Sequence, residues 1–308
     1  MTRSGRPTRR AGLRTVLAAV AAAPLIGTAG ASADRRQESL PREPLRPVPV
    51  PSLEVMTFNL RFASARRPHS WSVRRPVMRA LLQRAAPHVI GTQEGRPKQL
   101  RDIAADLGPH YDWIGTSRGV GADEAVAVFY DTRRLAPAEY GHFWLSGTPQ
   151  VRGSNTWGGD HPRMVTWVRF RDLPAAGRQF CVLNTHLDNA SQYARERSAA
   201  LIAARISRFD PSLPLLLTGD FNTVAHHDPV YDRLLAAGLV DTWDTARTRG
   251  DAYATYHGYK ALTPNGGRID WILATPGVRV QREWTDAFSV GGQYPSDHLP
   301  VQASLDLG

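Results

Sequence analysis

Apolar runs that stop abruptly on a polar residue recur along this chain. The clearest is Leu215-Leu216-Leu217-Thr218-Gly219-Asp220-Phe221-Asn222. Three consecutive leucines after Pro214 read as a short strand buried on both faces. The run ends at Gly219 and then presents a carboxylate and an amide two residues apart. Side chains two apart on an extended segment point the same way, so Asp220 and Asn222 can converge on one object. Asp and Asn also form turns, which is the competing reading.

The same form appears elsewhere. Residues 53–58 read as a strand leading into Asn59, 89–93 as one ending at Glu94, and 125–130 as another. Strands at 164–170 and 179–183 flank a turn at 174–177, and the second leads into Asn184-Thr185-His186-Leu187-Asp188. A strand at 268–273 carries Asp270 inside it, and Ser296-Asp297-His298 precedes a short alternating strand to Leu307. Val73, Val77, Met78, Leu81, Leu82 and Ala85 fall on one stripe and predict a helix over 73–86, with Pro76 in its first turn and Pro87 as its stop. Leu100, Ile103, Ala104 and Leu107 predict a second helix, closed by Gly108-Pro109. A third is predicted over 194–208, with Leu201, Ile202, Ile206 and Phe209 inward and Arg195, Arg197, Arg205 and Arg208 outward. Residues 140–163 read as loop. Alternating helices and strands, with some hairpin-like strand pairs, indicate mixed sheets with helices outside.

The N-terminus has a different character. Thr8-Arg9-Arg10-Ala11-Gly12-Leu13-Arg14 resembles a twin-arginine motif. An apolar stretch at 16–31 follows, and Ala31-Ser32-Ala33 is a small-x-small cleavage site, so residues 1–33 read as an export signal. Pro24, Gly27 and Gly30 argue against a membrane span. Gly12 stands where the twin-arginine motif usually has a large apolar residue, which keeps the general secretory route open. Pro41, Pro44, Pro47, Pro49 and Pro51 make 34–52 an extended linker, and the folded domain covers 53–308. The expected location is extracellular, as a monomer with no stable membrane association after cleavage.

The formal charge is +10, but residues 1–33 hold five arginines and no acid. The remainder carries 33 basic against 28 acidic residues, a balance of +5 that suits a phosphate-bearing substrate without requiring one. Cys181 is the only cysteine, so the chain has no internal disulfide and no cysteine-rich metal site. Its apolar neighbours make it a core residue.

Asn59, Glu94, His186, Asp220 with Asn222, Asp270, and Asp297 with His298 thus sit at the ends of, or inside, apolar strands. A lone buried carboxylate is costly and calls for a cation or hydrogen bonds. Asp, Glu and Asn oxygens without cysteine suit Mg²⁺, Mn²⁺ or Ca²⁺. Two histidines add groups that donate to a phosphate or move a proton.

The ordered motifs TFNLRF, GTQE, NTHLD, TGDFN, RIDWIL and SDHLPV, running from Thr57 to Val301, resemble the endonuclease/exonuclease/phosphatase superfamily. Pancreatic deoxyribonuclease, exonuclease III, bacterial sphingomyelinases and inositol polyphosphate 5-phosphatases resemble its members. The resemblance implies an α/β four-layer sandwich, two central mixed sheets face to face with helices on both outer sides. It implies phosphoester hydrolysis by metal-aided attack of water, with Mg²⁺ or Mn²⁺. By resemblance Glu94 is the principal metal carboxylate, Asn59 supports the metal or phosphate, and Asp297 is a further metal-site carboxylate. Asp220 and Asn222 hold the attacking water and a phosphate oxygen or second metal, and His186 contacts the phosphate. His298 acts in acid–base or transition-state roles with Asp270 orienting it. Either His298 or Asp220 takes the water's proton.

Substrate choice is left to the loops. Arg61, Trp157 and Arg163 are candidate substrate contacts; a solvated Arg61 and a loop-anchoring Trp157 are the alternatives. His226-His227 reads as solvent-facing. The expected substrate is a small or terminal phosphoester, with nucleic acid possible. The alternatives are a secreted nuclease, a sphingomyelinase-like phospholipid phosphodiesterase, and a non-catalytic binding protein on the same fold. Residues 288–295 are a short, weakly apolar stand-in for the hairpin of sphingomyelinases, and no ligand position is lost.

Overall fold

The computed structural model describes residues 51–308 apart from position 122; the expected export signal and nearly all of the expected linker lie outside the described residues. The chain runs β1 (Leu53–Asn59), α1 (Trp71–Ala85), β2 (Val89–Gly95), α2 (Pro97–Leu107), β3 (Tyr111–Ser117) and β4 (Ala125–Asp131). It continues through β5 (Leu135–Trp144), β6 (Met164–Asp172), β7 (Arg178–His186), α3 (Gln192–Ile206), β8 (Leu215–Asp220) and α4 (Pro229–Ala236). Then come β9 (Val240–Asp241), α5 (Thr242–Thr245), β10 (Thr248–Arg249), β11 (Asp270–Ala274), β12 (Arg279–Thr285) and β13 (Val301–Asp306).

A seven-stranded sheet has the order β10-β12-β13-β1-β2-β4-β3, and a six-stranded sheet the order β5-β6-β7-β8-β11-β9. Both are mixed: β1–β2 and β7–β8 are parallel, while β1–β13 and β8–β11 are antiparallel. Three apolar clusters define four layers. Met56, Phe58 and Ile90 pack with Met78 and Leu81 of α1 and Leu100 and Ile103 of α2. Val55, Val89, Val182, Leu216 and Ile272 fill the space between the sheets. Leu183, Leu215, Leu217 and Trp271 meet Ile202 of α3 and Leu234 of α4. The leucine triplet therefore divides by pleat, Leu216 toward the other sheet and its neighbours toward the helices. Cys181 is buried in the same outer cluster, and burial pushes its thiol up to about 12.

The inward positions of the central strands change character toward one end. They read Val55-Thr57-Asn59, Val89-Gly91-Gln93, Val182-Asn184-His186 and Leu216-Thr218-Asp220, apolar first and polar last. Between the sheets, Gln93 Nε2 donates to Asn184 Oδ1 at 2.8 Å and to Thr57 Oγ1 at 3.1 Å, and Thr218 Oγ1 donates to the same Asn184 oxygen at 3.1 Å. Asn184 Nδ2 donates to the carbonyls of Thr92 and Ala127. Gly91 makes room for this polar layer: a Cβ there would lie 2.2 Å from Thr218 Oγ1. The layer carries each strand's polar end out of the dry core and into the site.

The loop expected over 140–163 begins later than its pattern suggests, because β5 continues to Trp144. β5 is an edge strand with mostly exposed central positions and a register shift beside Pro137, so it lacks apolar alternation. β3, also at an edge, and β12, with Glu283 buried in it, escaped the pattern for similar reasons. α4 was missed although Asp228 caps it and Pro229 opens it. The three expected helices start two or three residues earlier than their stripes, and β11 begins at Asp270 rather than 268. Among the described residues no helix is long and apolar enough to cross a membrane.

Candidate active site

The polar strand ends open into a cleft of about 400 Å³. Asn59 ends β1 on its inward face, and its Nδ2 donates to Glu94 Oε1 at 3.0 Å and across the sandwich to Asp220 Oδ2 at 2.9 Å. Its Oδ1 accepts from the Arg61 backbone N–H at 2.9 Å. Glu94 has φ +62°, a left-handed conformation that turns its side chain out of the pleat and into the cleft. Its second oxygen accepts from the Phe62 N–H at 3.2 Å.

Asp220 ends β8. Asn222, at φ +52°, has already left extended geometry, so the two-apart rule stops at the strand end. The pair meets through an Asx-type turn, with Asn222 N–H donating to Asp220 Oδ1 at 2.9 Å. Turn and site readings hold together, since both residues line the cleft. Asn222 Nδ2 donates to the Leu187 carbonyl at 3.0 Å.

His186 Nε2 lies 3.4 Å from Asp220 Oδ2, and His298 Nε2 3.8 Å from the same oxygen. The other nitrogen of His298, Nδ1, is 2.9 Å from Asp270 Oδ2. Asp270 is fully buried on β11, opposite Asp220 in the register, with its backbone N–H donating to Thr255 Oγ1 at 3.1 Å. Burial pulls His298 down, but the charges of Asp270, Asp220 and Asp297 and the bond to Asp270 outweigh it, and His298 is pushed up to about 10. Burial, followed by the Asp270 charge, pushes Asp220 up to about 7. Burial, then Arg163 and Arg118, hold His186 well below the usual histidine value, so its imidazole is neutral. Asp220, Asp270 and His298 bring three ligand-type atoms within 4.8 Å of one another. The bond between His298 and Asp270 occupies two of these groups, with Asp220 3.8 Å beyond Nε2. Glu94, half-buried with one hydrogen bond on each oxygen, is the more open cation ligand.

Asp297 lines the cleft and pairs with Arg61 Nη1 at 3.3 Å. Arg61 also lies 4.8 Å from the centre of the Tyr259 ring. Ser296 fixes this segment by donating to the Asn59 carbonyl at 2.7 Å. Arg163 is buried and lines the cleft. It donates to Asn189 Oδ1 at 2.6 Å and lies 3.7 Å from Asp188, while its Nε and Nη1 have no hydrogen-bond partner among the described residues. Asp188 also accepts from the N–H groups of Ala190 and Ser191. Trp157 is not among the cleft residues. It packs against the cluster between the six-stranded sheet and its helices, under Arg197. His226 and His227 are exposed and line a separate cavity beside Arg268.

Arg118, Glu124, His161, Asn189 and Tyr256 also line the cleft and were not singled out from sequence. Glu124 immediately precedes the apolar run of β4, and so it was legible had strand starts been weighed like strand ends. Tyr256 carries no sequence signal.

The profile of the Endonuclease/Exonuclease/phosphatase family matches residues 56–298. No curated protein sequence matches the chain. Among solved structures, a mannosyl-6-phosphatase from Bacteroides thetaiotaomicron is 34% identical with a TM-score of 0.74, over 83% of this chain and 100% of its own. A family protein from Bacteroides vulgatus is 29% identical with a TM-score of 0.78, over 83% and 99%. The human nocturnin catalytic domain with bound sulfate shares the fold at 17% identity and a TM-score of 0.65, over 83% and 94%. Six motifs converging on one cleft, a profile spanning nearly the whole described domain and close structural likeness to bacterial relatives lead to one assignment: this chain belongs to the endonuclease/exonuclease/phosphatase family of phosphoester hydrolases.

Proposed function

We propose that the chain is an exported, divalent-cation-dependent phosphatase acting on a small phosphomonoester, with a sugar phosphate as the substrate to try first. The observation that carries the reaction is the line Asp270–His298–Asp220 facing Glu94 and Asn59 across the sandwich. The similarity to a mannosyl-6-phosphatase supports the sugar phosphate.

The residues fit a cation. Glu94, Asp220 and Asp297 bring three carboxylates to one cleft, a charge that a bound cation would offset. Oxygen donors from Glu94, Asn59 and Asp297 suit Mg²⁺ or Mn²⁺. When bound, such an ion polarises the phosphoryl group and offsets its charge. The protein's own groups do the rest. Asn59 keeps Glu94 and Asp220 in register. Asp220 and the Asn222 side chain orient the attacking water. Neutral His186 donates to a phosphoryl oxygen, and buried Arg163, held by Asn189 and Asp188, adds positive charge behind it. His298 presents Nε2 to the reacting group while Asp270 fixes its tautomer through Nδ1, and a positioned acid–base group of this kind contributes roughly 10²–10⁴-fold.

Steady-state assays of the mature chain test the reading. D-mannose 6-phosphate is expected to be hydrolysed with Mg²⁺, excess chelator to abolish turnover, and Mg²⁺ or Mn²⁺ to restore it. Full activity in chelator, or nicking of supercoiled plasmid in preference to any monoester, would overturn it. Export is checked by N-terminal sequencing of secreted protein, with a start near Asp34 expected; an intact Met1 in the medium fraction would rule out cleavage at Ala33.

A further inference from the structure

Three arginines line the cleft among the described residues, and each has a carboxylate partner. Arg61 pairs with Asp297 at 3.3 Å, Arg118 with Glu124 at 2.9 Å, and Arg163 with Asp188 at 3.7 Å. A groove that follows a nucleic-acid backbone relies on cations free to meet phosphates. This cleft presents donor–acceptor pairs close to electroneutral instead.

The Arg118–Glu124 pair stands apart from the other two. It comes from the 118–124 loop joining β3 to β4, which carries none of the residues assigned to the reaction. That loop is held at several points. Arg118 N–H donates to the Glu124 carbonyl at 2.8 Å, Trp144 Nε1 to the Arg118 carbonyl at 2.5 Å, and Arg152 Nε to the Gly119 carbonyl at 3.3 Å. Both side chains are thus presented from a braced support, as a specificity contact requires.

We infer that Arg118 and Glu124 recognise the hydroxyl groups of the leaving alcohol, so that the substrate is the phosphate ester of a sugar-like polyol. The inference rests on the phosphomonoesterase reading above. A guanidinium beside a carboxylate offers donors and acceptors at one edge, and a hydroxyl is both donor and acceptor. A second phosphate at this spot would meet Glu124 and feel Glu94 nearby, both of like charge, which disfavours a bisphosphate or a polymer backbone. Tyr256, 52% exposed at the cleft, adds an open aromatic ring for the carbon face of such a group.

Glu124→Gln and Arg118→Lys test this. Glu124→Gln keeps the shape and removes the carboxylate, and Arg118→Lys keeps the charge and removes the planar fork. The readout is the ratio of kcat/KM for D-mannose 6-phosphate to that for phenyl phosphate, which lacks hydroxyls. Both variants are expected to lower the ratio by roughly tenfold, mainly through KM for the sugar ester. A ratio within twofold of wild type in both would overturn the inference, as would a parallel loss on both esters. Titration calorimetry with the same two esters, in a slow His298→Asn background, reads the binding preference separately. The sugar ester should bind more tightly, and Glu124→Gln should erase the difference; no preference at the outset would also overturn it. Absence of Mg²⁺-dependent turnover of either ester by wild type sinks the hydrolase reading, while calorimetry still decides the role of the pair.

Discussion

Asp270 touches no solvent and lines no part of the cleft, yet it bonds a histidine that does line it. Its Oδ2 bond to His298 Nδ1 sets which imidazole nitrogen faces Asp220 and the reacting group. Asn at 270 keeps the volume but can offer an N–H where the histidine needs an acceptor, favouring the wrong tautomer. Asp270→Asn is therefore expected to lower kcat by roughly 10²–10⁴-fold while KM changes little, because the lost interaction acts in the transition state. Steady-state kinetics on a sample that melts like wild type checks this. A kcat within threefold of wild type would mean that His298 is oriented by something else.

At the scale of elements, α1 contributes more than an apolar stripe. Arg74, 0% exposed on its inner face, uses all five guanidinium N–H groups on carbonyls. It binds Leu60, Arg61 and Phe62 just past β1, His69, and Pro295 just before the Asp297-His298 pair. One buried side chain thereby ties together two motif segments that are distant in sequence. Arg74→Met fills similar space and takes this donor from the Phe62, His69 and Pro295 carbonyls, so a loss of about 3–5 kcal/mol is expected in urea unfolding. Lys has three donors instead of five and should rescue only part of it. A stability within 1 kcal/mol of wild type would remove Arg74 from this role. The sequence pattern shows the stripe of α1 because burial of aliphatic side chains repeats at helical spacing. It hides Arg74, since nothing local distinguishes a buried arginine from a solvated one. The same holds across the molecule. Central strands flanked on both faces by core were legible down to their polar ends, because the layer change from apolar to polar is written along each strand. Edge strands, the cleft loop at 118–124 and the choice for Trp157 between substrate contact and loop anchor were not, because each depends on which neighbour the chain meets only after folding.

The described domain is a sandwich with a polar cleft at one end and a differently sealed opposite end. At that far end Arg134, immediately before β5, binds Asp172 at the end of β6, with Nε to Oδ1 at 3.1 Å and Nη2 to Oδ2 at 3.0 Å. The same guanidinium holds the carbonyls of Pro51 and Ser52, where the described chain enters β1. His88 sits beside it, and its Nδ1 accepts the Glu54 N–H at 2.8 Å, which requires a neutral acceptor nitrogen. Burial and then the Arg134 charge lower His88 from 6.5 to about 4. A histidine lowered in the folded state binds a proton more readily when unfolded. Its contribution is therefore complete above roughly pH 6.5 and is lost as pH falls toward about 4. Since His88 is only half-buried, solvent screening reduces the effect to about 1–2 kcal/mol. Asn at this position keeps an acceptor for Glu54 and does not titrate. Urea unfolding across this range should show wild type losing stability on acidification faster than His88→Asn, with the two converging above neutrality apart from a constant offset. Parallel curves throughout would mean that the proton taken up on unfolding in this range belongs to another group, and that the far end of the sandwich holds its pH sensitivity elsewhere.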